Sequence, residues 1–514
     1  MSITALENLI SYRPHIAVIG TGIGGLSAAL RLAHTGAQVT VFERHTTPGG
    51  KMRTLPSVAG PVDAGPTVLT MKPVFEQLFA DVGARLDDHV TLISEPLLAR
   101  HFWKDGTTLD LMADHEASVD NVGNAFGLRA ANQFTRFCNR ATALFNAFDA
   151  SMMQTQAPSL ASLTATVLRN PQLIPKMAPH QNLAAMLRSQ FTEPKLAQLF
   201  ARYATYVGGL PQTSPAILSL IWEAERRGVW HVQGGMHRLA VALEALARQK
   251  GATFHYNAHI TQIETSDGRP CAVHTEGGRT PVDAVLFNGD PRALTTGLLG
   301  PDLSDAVSTK AVEPRSLSAQ VQAFAAQTDF DLAAHNVFFA DDPAQEYLPL
   351  ARGKLQTDPT LYICAQDRFG GARTEGQERF EIILNAPSTL NTPPQENAQC
   401  QTLILNRLAA FGLTFTPAPE ITTLTGPQAF DTMFPGSNGS LYGRSPAGMM
   451  AAFSRPTART MIKGLYLAGG GAHPGAGVPM ATLSAAHAVA AMMQDLNLTC
   501  VSPLAATPGG TLTA

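Results

Sequence analysis

The sequence predicts an α/β fold, and three observations carry that prediction. An apolar run, HIAVI at 15–19, leads straight into a glycine-rich turn, a small-residue helical stretch and a second β-rich run, VTVFE at 39–43. Strand and helix signals return at 235–288 and again at 464–496, so one α/β domain is revisited late in the chain. Between these passages, 116–224 reads as mainly helical and 296–419 as mixed.

Each element has its own local reason. HIAVI shows no polar alternation, which suits a strand buried on both faces of a parallel sheet. In the helix from Gly24 to His34, Leu26 and Leu30 supply an apolar stripe, Ala28 and Ala29 permit close packing, and Gly36 ends it. Pro158, Pro171, Pro175 and Pro179 break the helical region. A helix at 235–249, a strand at 253–257, a hairpin at Asp267-Gly268 and a strand at 284–288 follow. LYICA (361–365) and FEIIL (380–384) read as strands, then come a strand at 464–468 and a helix from Ala481 to Leu496. The Pro/Gly/Thr-rich tail after 501 reads as disordered.

Composition narrows the class. At 514 residues, 45% hydrophobic and 15% charged, the chain can bury a large core in two or three lobes. A net charge of −3 without a basic block gives no sign of nucleic-acid binding. Five scattered cysteines without a CxxC pair argue against a disulfide framework and a metal site, and for a reducing compartment. Glu7, Arg13 and His15 interrupt any signal-peptide core, and no apolar run approaches the roughly 18 residues of a membrane span. The expectation is a cytoplasmic protein that can still sit on a membrane surface.

The chemistry begins at Gly20-Thr21-Gly22-Ile23-Gly24-Gly25, which fits G-x-G-x-x-G between a strand and a helix. Gly20 permits the turn, Gly22 lets a pyrophosphate approach the backbone, and Gly25 lets helix and strand pack closely. Glu43 ends the second strand about 20 residues on, placed to accept a hydrogen bond from an adenosine ribose and to repel a 2′-phosphate. The reading is a Rossmann-like dinucleotide domain in three parts, 1–115, 225–295 and 420–500. A helical insertion (116–224), a substrate lobe (296–419) and a flexible tail (501–514) complete the division.

After Glu43 the chain reads RHTTPGGKMRT, then VDAGPTVLT at 62–70, and near its end GLYLAGGGAHPGAGVPMATLSAAHAV at 464–489. The pattern E-x(5)-G-G-[RK] resembles the extended FAD signature of the amine-oxidase and phytoene-desaturase superfamily, and the late stretch resembles the C-terminal signature of bacterial carotenoid desaturases. Lys51 stands where the family usually has Arg, and His45 where many relatives have Arg. The stretches PSVAGPVDAGPTVLTM (56–71), ARHFWKDGTTLDL (99–111), ARYATYVGG (201–209), LIWEAERRGVW (220–230) and FNGDPRAL (287–294) resemble the hydroxyneurosporene (1-hydroxycarotenoid 3,4-) desaturases. A phytoene desaturase, an FAD-dependent carotene isomerase and a non-catalytic lipid escort of the same fold are the alternatives. A flavin amine oxidase is a further one, against which three tryptophans and eight tyrosines show no evident aromatic cage.

The resemblance implies FAD as cofactor, held by Gly20, Gly22, Ile23, Gly25, Glu43, Arg44, Gly50, Lys51, Met52, Gly65, Pro66, Thr67, Ile260, Gly469, Gly470, Val478 and Met480. Lys51 would neutralise pyrophosphate charge, and backbone N–H groups near Val478 and Met480 would face the flavin ring. His473, between Ala472 and Pro474, reads as a turn residue in preference to a base. His101, Arg202, Trp230 and His237 read as packing or surface residues, and no catalytic residue is identified. The implied partner is a hydrophobic carotenoid drawn from a bilayer. The segment 159–177 reads either as a membrane-facing surface or as an ordinary amphipathic core helix.

Overall fold

The first strand, His15–Ile19, alternates between two cores: Ile16 and Val18 pack to one side and Ala17 and Ile19 to the other. A computed structural model describes residues 13–388 and 394–498; the tail and Cys500 lie outside them. His15–Ile19 is the centre of a five-stranded parallel sheet ordered Leu465–Leu467, Ala284–Phe287, His15–Ile19, Gln38–Phe42, Thr253–His255. Three separated stretches of chain therefore build one sheet. Helices Ile23–His34, His237–Gln249 and Val478–Asp495 cover one face. An antiparallel ribbon of Gln262–Ser266, Arg269–Thr275 and Gly278–Pro281 contributes to the core on the other.

Element boundaries differ from expectation where caps decide them. The helix expected from 235 begins at His237, because Gly234 (φ 83°) and Gly235 (φ 99°) are left-handed. Asp63 fixes this start by accepting from the Met236 amide at 2.6 Å. The last helix begins at Val478 instead of Ala481, with Pro479 in its first turn, where a missing N–H costs nothing.

A second sheet of seven strands is ordered Leu424–Thr425, Ser318–Ala326, Glu378–Ala386, Leu361–Ala365, His335–Phe338, Leu97–Phe102, Thr108–Met112. All its pairings are antiparallel except that of His335–Phe338 with Leu97–Phe102. The stretch 1–115 thus gives its last two strands to the second sheet. Leu98, Leu109 and Leu111 join Val337, Phe339 and the helical lobe's Phe134, Phe200 and Trp222 in one core, which holds them there. Leu424–Thr425, inside 420–500, pairs with the same sheet. The helical lobe is built around Leu128–Phe148, as the reading of 116–224 anticipates.

Candidate functional site

The carboxyl ends of the parallel strands open on a cavity of about 590 Å³ that runs toward the second sheet and the helical lobe. Such a crevice is where open α/β sheets bind ligands. The glycine turn is held shut by its surroundings. A Cβ on Gly25 would overlap the Gly20 carbonyl, and one on Gly24 would sit 2.9 Å from Gly469 Cα. The two glycine motifs join directly: the Gly49 amide donates to Thr21 O at 2.9 Å, and Gly50 lies against Gly22. At Gly24 and Gly25 a side chain has no room, and Gly20 takes a left-handed backbone (φ 97°) that side chains disfavour.

Glu43 is buried at the end of Gln38–Phe42. Its carboxylate accepts from Thr21 N (2.8 Å), Thr21 Oγ1 (2.6 Å) and His45 N (2.9 Å). The acid therefore braces the turn and still faces the cavity. Ile23–His34 and Val478–Asp495 both begin at the cavity wall, and neither has a side-chain cap. Helix starts without a side-chain cap can offer backbone N–H groups to an anion, the arrangement a dinucleotide needs, although Pro479 offers none in the second. Arg44 also lines the cavity, with Nη1 buried and without a partner among the described residues. Glycine cradle, acid, uncapped helix starts and orphaned guanidinium nitrogen together fit a dinucleotide.

Of the positions implied for the cofactor, Gly20, Gly22, Ile23, Glu43, Arg44, Gly50, Lys51, Met52, Gly65, Pro66, Thr67, Ile260, Gly469, Gly470 and Val478 line this cavity. Gly25 lies behind the turn, where it sets the helix–strand approach, and Met480 is outside the lining. Lys51 is half-buried; Nζ donates to Leu441 O at 2.6 Å and sits 5.5 Å from the Phe434 ring centroid. Burial pushes its pKa down to about 8, opposed by Asp290 and reinforced by Arg315 and Arg455.

His101 and His237 are structural: their rings bond Leu109 O and Pro48 O, and neither lines the cavity. Trp230 pairs through its backbone with Leu69. His473 bonds Thr155 O at 2.9 Å and stacks on His487, which bonds Met153 O at 3.0 Å. The two rings anchor residues 153–155 to the last helix. Burial pushes the pKa of His473 down to about 4.

Arg202 departs from the sequence reading. It lines the cavity together with Tyr206, Glu225, Tyr362 and Tyr442. Three of the eight tyrosines thus reach this wall, which a tally of the chain could not show. Asn288 also went unread: Nδ2 donates to Gly20 O at 3.3 Å, and the side chain wedges between the glycine turn and Gly469. Its signal was an Asn-Gly-Asp turn directly after a strand, within the quoted FNGDPRAL.

The fold and this cavity define a flavoprotein oxidoreductase. The chain belongs to the flavin containing amine oxidoreductase family, whose model matches residues 23–493. A flavin carried on a dinucleotide fingerprint is FAD. The chain is similar to the hydroxyneurosporene desaturase of Cereibacter sphaeroides, with 51% identity over 94% of this chain and 98% of that one. It is also 50% identical to the hydroxyneurosporene desaturase of Rhodobacter capsulatus, over 93% and 98%. An oxidoreductase structure from Methanosarcina mazei superposes at a TM-score of 0.58 with 17% identity, covering 93% of this chain and all of that one. That last likeness concerns the fold alone.

Proposed function

We propose that this protein dehydrogenates the C3–C4 bond of acyclic carotenoids bearing a 1-hydroxy or 1-methoxy end, with FAD as hydride acceptor. The observation that carries the reading is one cavity joining the dinucleotide cradle to a wall of Val68, Leu98, Val229, Val321 and Ile383. Half-identical relatives named hydroxyneurosporene desaturase support the substrate class. Accepting a hydride is the chemistry a bound flavin supplies. The chain's own residues position and shield. Gly20, Gly22, Gly50 and the start of Ile23–His34 hold the dinucleotide, Glu43 takes the ribose, and Lys51 offsets phosphate charge. The apolar wall excludes water and aligns a polyene.

Burial keeps His335 neutral, with its pKa pushed down to about 3, and holds Tyr362 protonated, so neither is poised as a base near neutral pH.

The substrate's phase sets the docking mode. Burying each CH₂ is worth about 0.8 kcal/mol, so a carotenoid has negligible free concentration in water. No helix among the described residues is long and apolar enough to cross a membrane. Of the two readings of 159–177, helix Leu160–Arg169 supports the surface one, since none of its residues is buried. Leu168 is 73% exposed, Leu160 52% and Ile174 49%, and an apolar hollow between Leu163, Val167, Ile174 and Met177 continues the patch. The anchored residues 153–155 lie just before this helix, so the protein would rest on a bilayer beside its own cavity. The test is product analysis with 1-hydroxyneurosporene, neurosporene and phytoene in liposomes at matched loading. Equal turnover of phytoene and 1-hydroxyneurosporene would remove the C3–C4 assignment.

A further inference from the structure

The desaturase reading leaves open what in the cavity recognises the oxygen at the carotenoid's end. Most charged lining residues, including Glu43, Arg44, Lys51 and Asp290, cluster on the dinucleotide side, and Asp290 is already paired with Arg315. Arg202, also in the lining, has one hydrogen-bond partner among the described residues, the Tyr206 hydroxyl at 3.1 Å. Tyr206 and Tyr362 flank the guanidinium, with ring centroids 5.1 and 5.5 Å from Cζ. The guanidinium belongs to a cavity-lining residue, and its remaining N–H groups have no partner among the described residues. Glu225 lines the same cavity, fixed by the Tyr203 hydroxyl at 3.0 Å on Oε1, and its Oε2 has no hydrogen-bond partner among the described residues. His335 and Tyr442 are the competing donors of the lining; the His335 Nε2 is buried and without a partner among the described residues. Thr360, also in the wall, spends its hydroxyl on Glu346.

We propose that Arg202 is the specificity residue for the oxygenated end, donating to the 1-hydroxy or 1-methoxy oxygen while Glu225 accepts a hydrogen bond from a free hydroxyl. The proposal rests on the desaturase reading above. Both end groups carry an acceptor oxygen, so Arg202 serves both; only the hydroxyl has a proton for Glu225. A bare hydrocarbon end leaves the remaining N–H groups desolvated without an acceptor, and sites built on such contacts reject the analogue lacking the oxygen.

The test uses FAD-loaded protein with phosphatidylcholine liposomes carrying 1-hydroxyneurosporene, 1-methoxyneurosporene or neurosporene. In Arg202→Met, the kcat/KM ratio of 1-hydroxyneurosporene to neurosporene should fall about ten- to a hundredfold, mainly through KM of the oxygenated substrate. Arg202→Lys should keep part of that preference. Glu225→Gln should lower the preference for hydroxy over methoxy. An unchanged ratio in Arg202→Met with full FAD content overturns the proposal. If that variant does not retain FAD, unchanged ratios in both Arg202→Lys and Glu225→Gln overturn it equally. Wild-type protein that converts none of the three carotenoids overturns the desaturase reading, and this proposal with it.

Discussion

Replacing Glu43 with Gln perturbs the cofactor site at one atom. The carboxylate accepts three hydrogen bonds from the chain: two at Oε2, from Thr21 N and Thr21 Oγ1, and one at Oε1, from His45 N. A Gln carbonyl can keep the Thr21 pair, which turns its NH₂ toward the His45 amide. One buried donor then loses its acceptor, at about 1–3 kcal/mol. The ribose hydrogen bond also loses its charge, and charge-assisted bonds are worth about 1.5–3 kcal/mol. The FAD dissociation constant should rise about ten- to a hundredfold, at about 1.4 kcal/mol per decade. Glu43→Ala removes both acceptor oxygens, and with them all three hydrogen bonds, and should do more. Titrating apoprotein with FAD by flavin fluorescence measures the affinity, and urea unfolding of the apoprotein separately measures the turn's loss of stability. Unchanged FAD affinity in both variants would refute the ribose contact; unchanged apoprotein stability would refute the bracing.

Gly25→Ala puts a Cβ against the Gly20 carbonyl, a backbone atom that cannot yield cheaply. It should destabilise the protein by about 3 kcal/mol or more, seen as a lower urea midpoint, and a wild-type midpoint would contradict the packing. Lys51 sits at about pKa 8 in the free protein, below its ordinary value of 10.5, so it is charged below pH 8 and neutral above. The sign for stability follows: this group disfavours folding at low pH, and the penalty disappears as pH rises from about 8 to 10.5. If a bound pyrophosphate restores the charge, FAD binding takes up a proton above pH 8. Affinity should then be flat below that pH and weaken above it, approaching about tenfold per unit. Lys51→Met should flatten the profile, while a flat wild-type profile from pH 7 to 9.5 would remove the phosphate role. None of the described cysteines lines the cavity, so denaturing the holoprotein should release all flavin colour, and flavin left on the precipitated chain would count against that. Leu168→Glu combined with Ile174→Glu should abolish co-sedimentation with liposomes, whereas raised salt should leave wild-type binding intact. Release at moderate ionic strength would point to a charged patch instead.

How much of this was legible depends on whether the signal is local. The strand–turn–helix at 15–34, the strand at 361–365 and the helical character of 116–224 are set by short-range pattern, and each appears close to where the residues put it. The glycines and Glu43 were readable because a fixed spacing carries their geometry. Strand ownership was not: nothing near 97–112 says that these residues pair with 335–338 and pack on Phe134, more than twenty positions away. Arg202 was unreadable for the same reason. Its neighbours in sequence, Ala201 and Tyr203, are buried, and only the approach of Tyr362 from the second sheet makes its surroundings a cavity wall. Asn288 shows the intermediate case, a visible turn whose partners, Gly20 and Gly469, lie hundreds of residues off.

The central claim is that this chain removes two hydrogens from an oxygenated acyclic carotenoid and passes a hydride to its flavin. It is tested most directly by one anaerobic single turnover, mixing oxidised holoprotein with liposomes loaded with 1-hydroxyneurosporene and following both chromophores. The account predicts that the oxidised flavin band is lost in step with the appearance of a longer-wavelength polyene carrying one more double bond, in equal molar amounts. A polyene spectrum that changes while the flavin stays oxidised would mean isomerisation, and no change in either would contradict the account altogether.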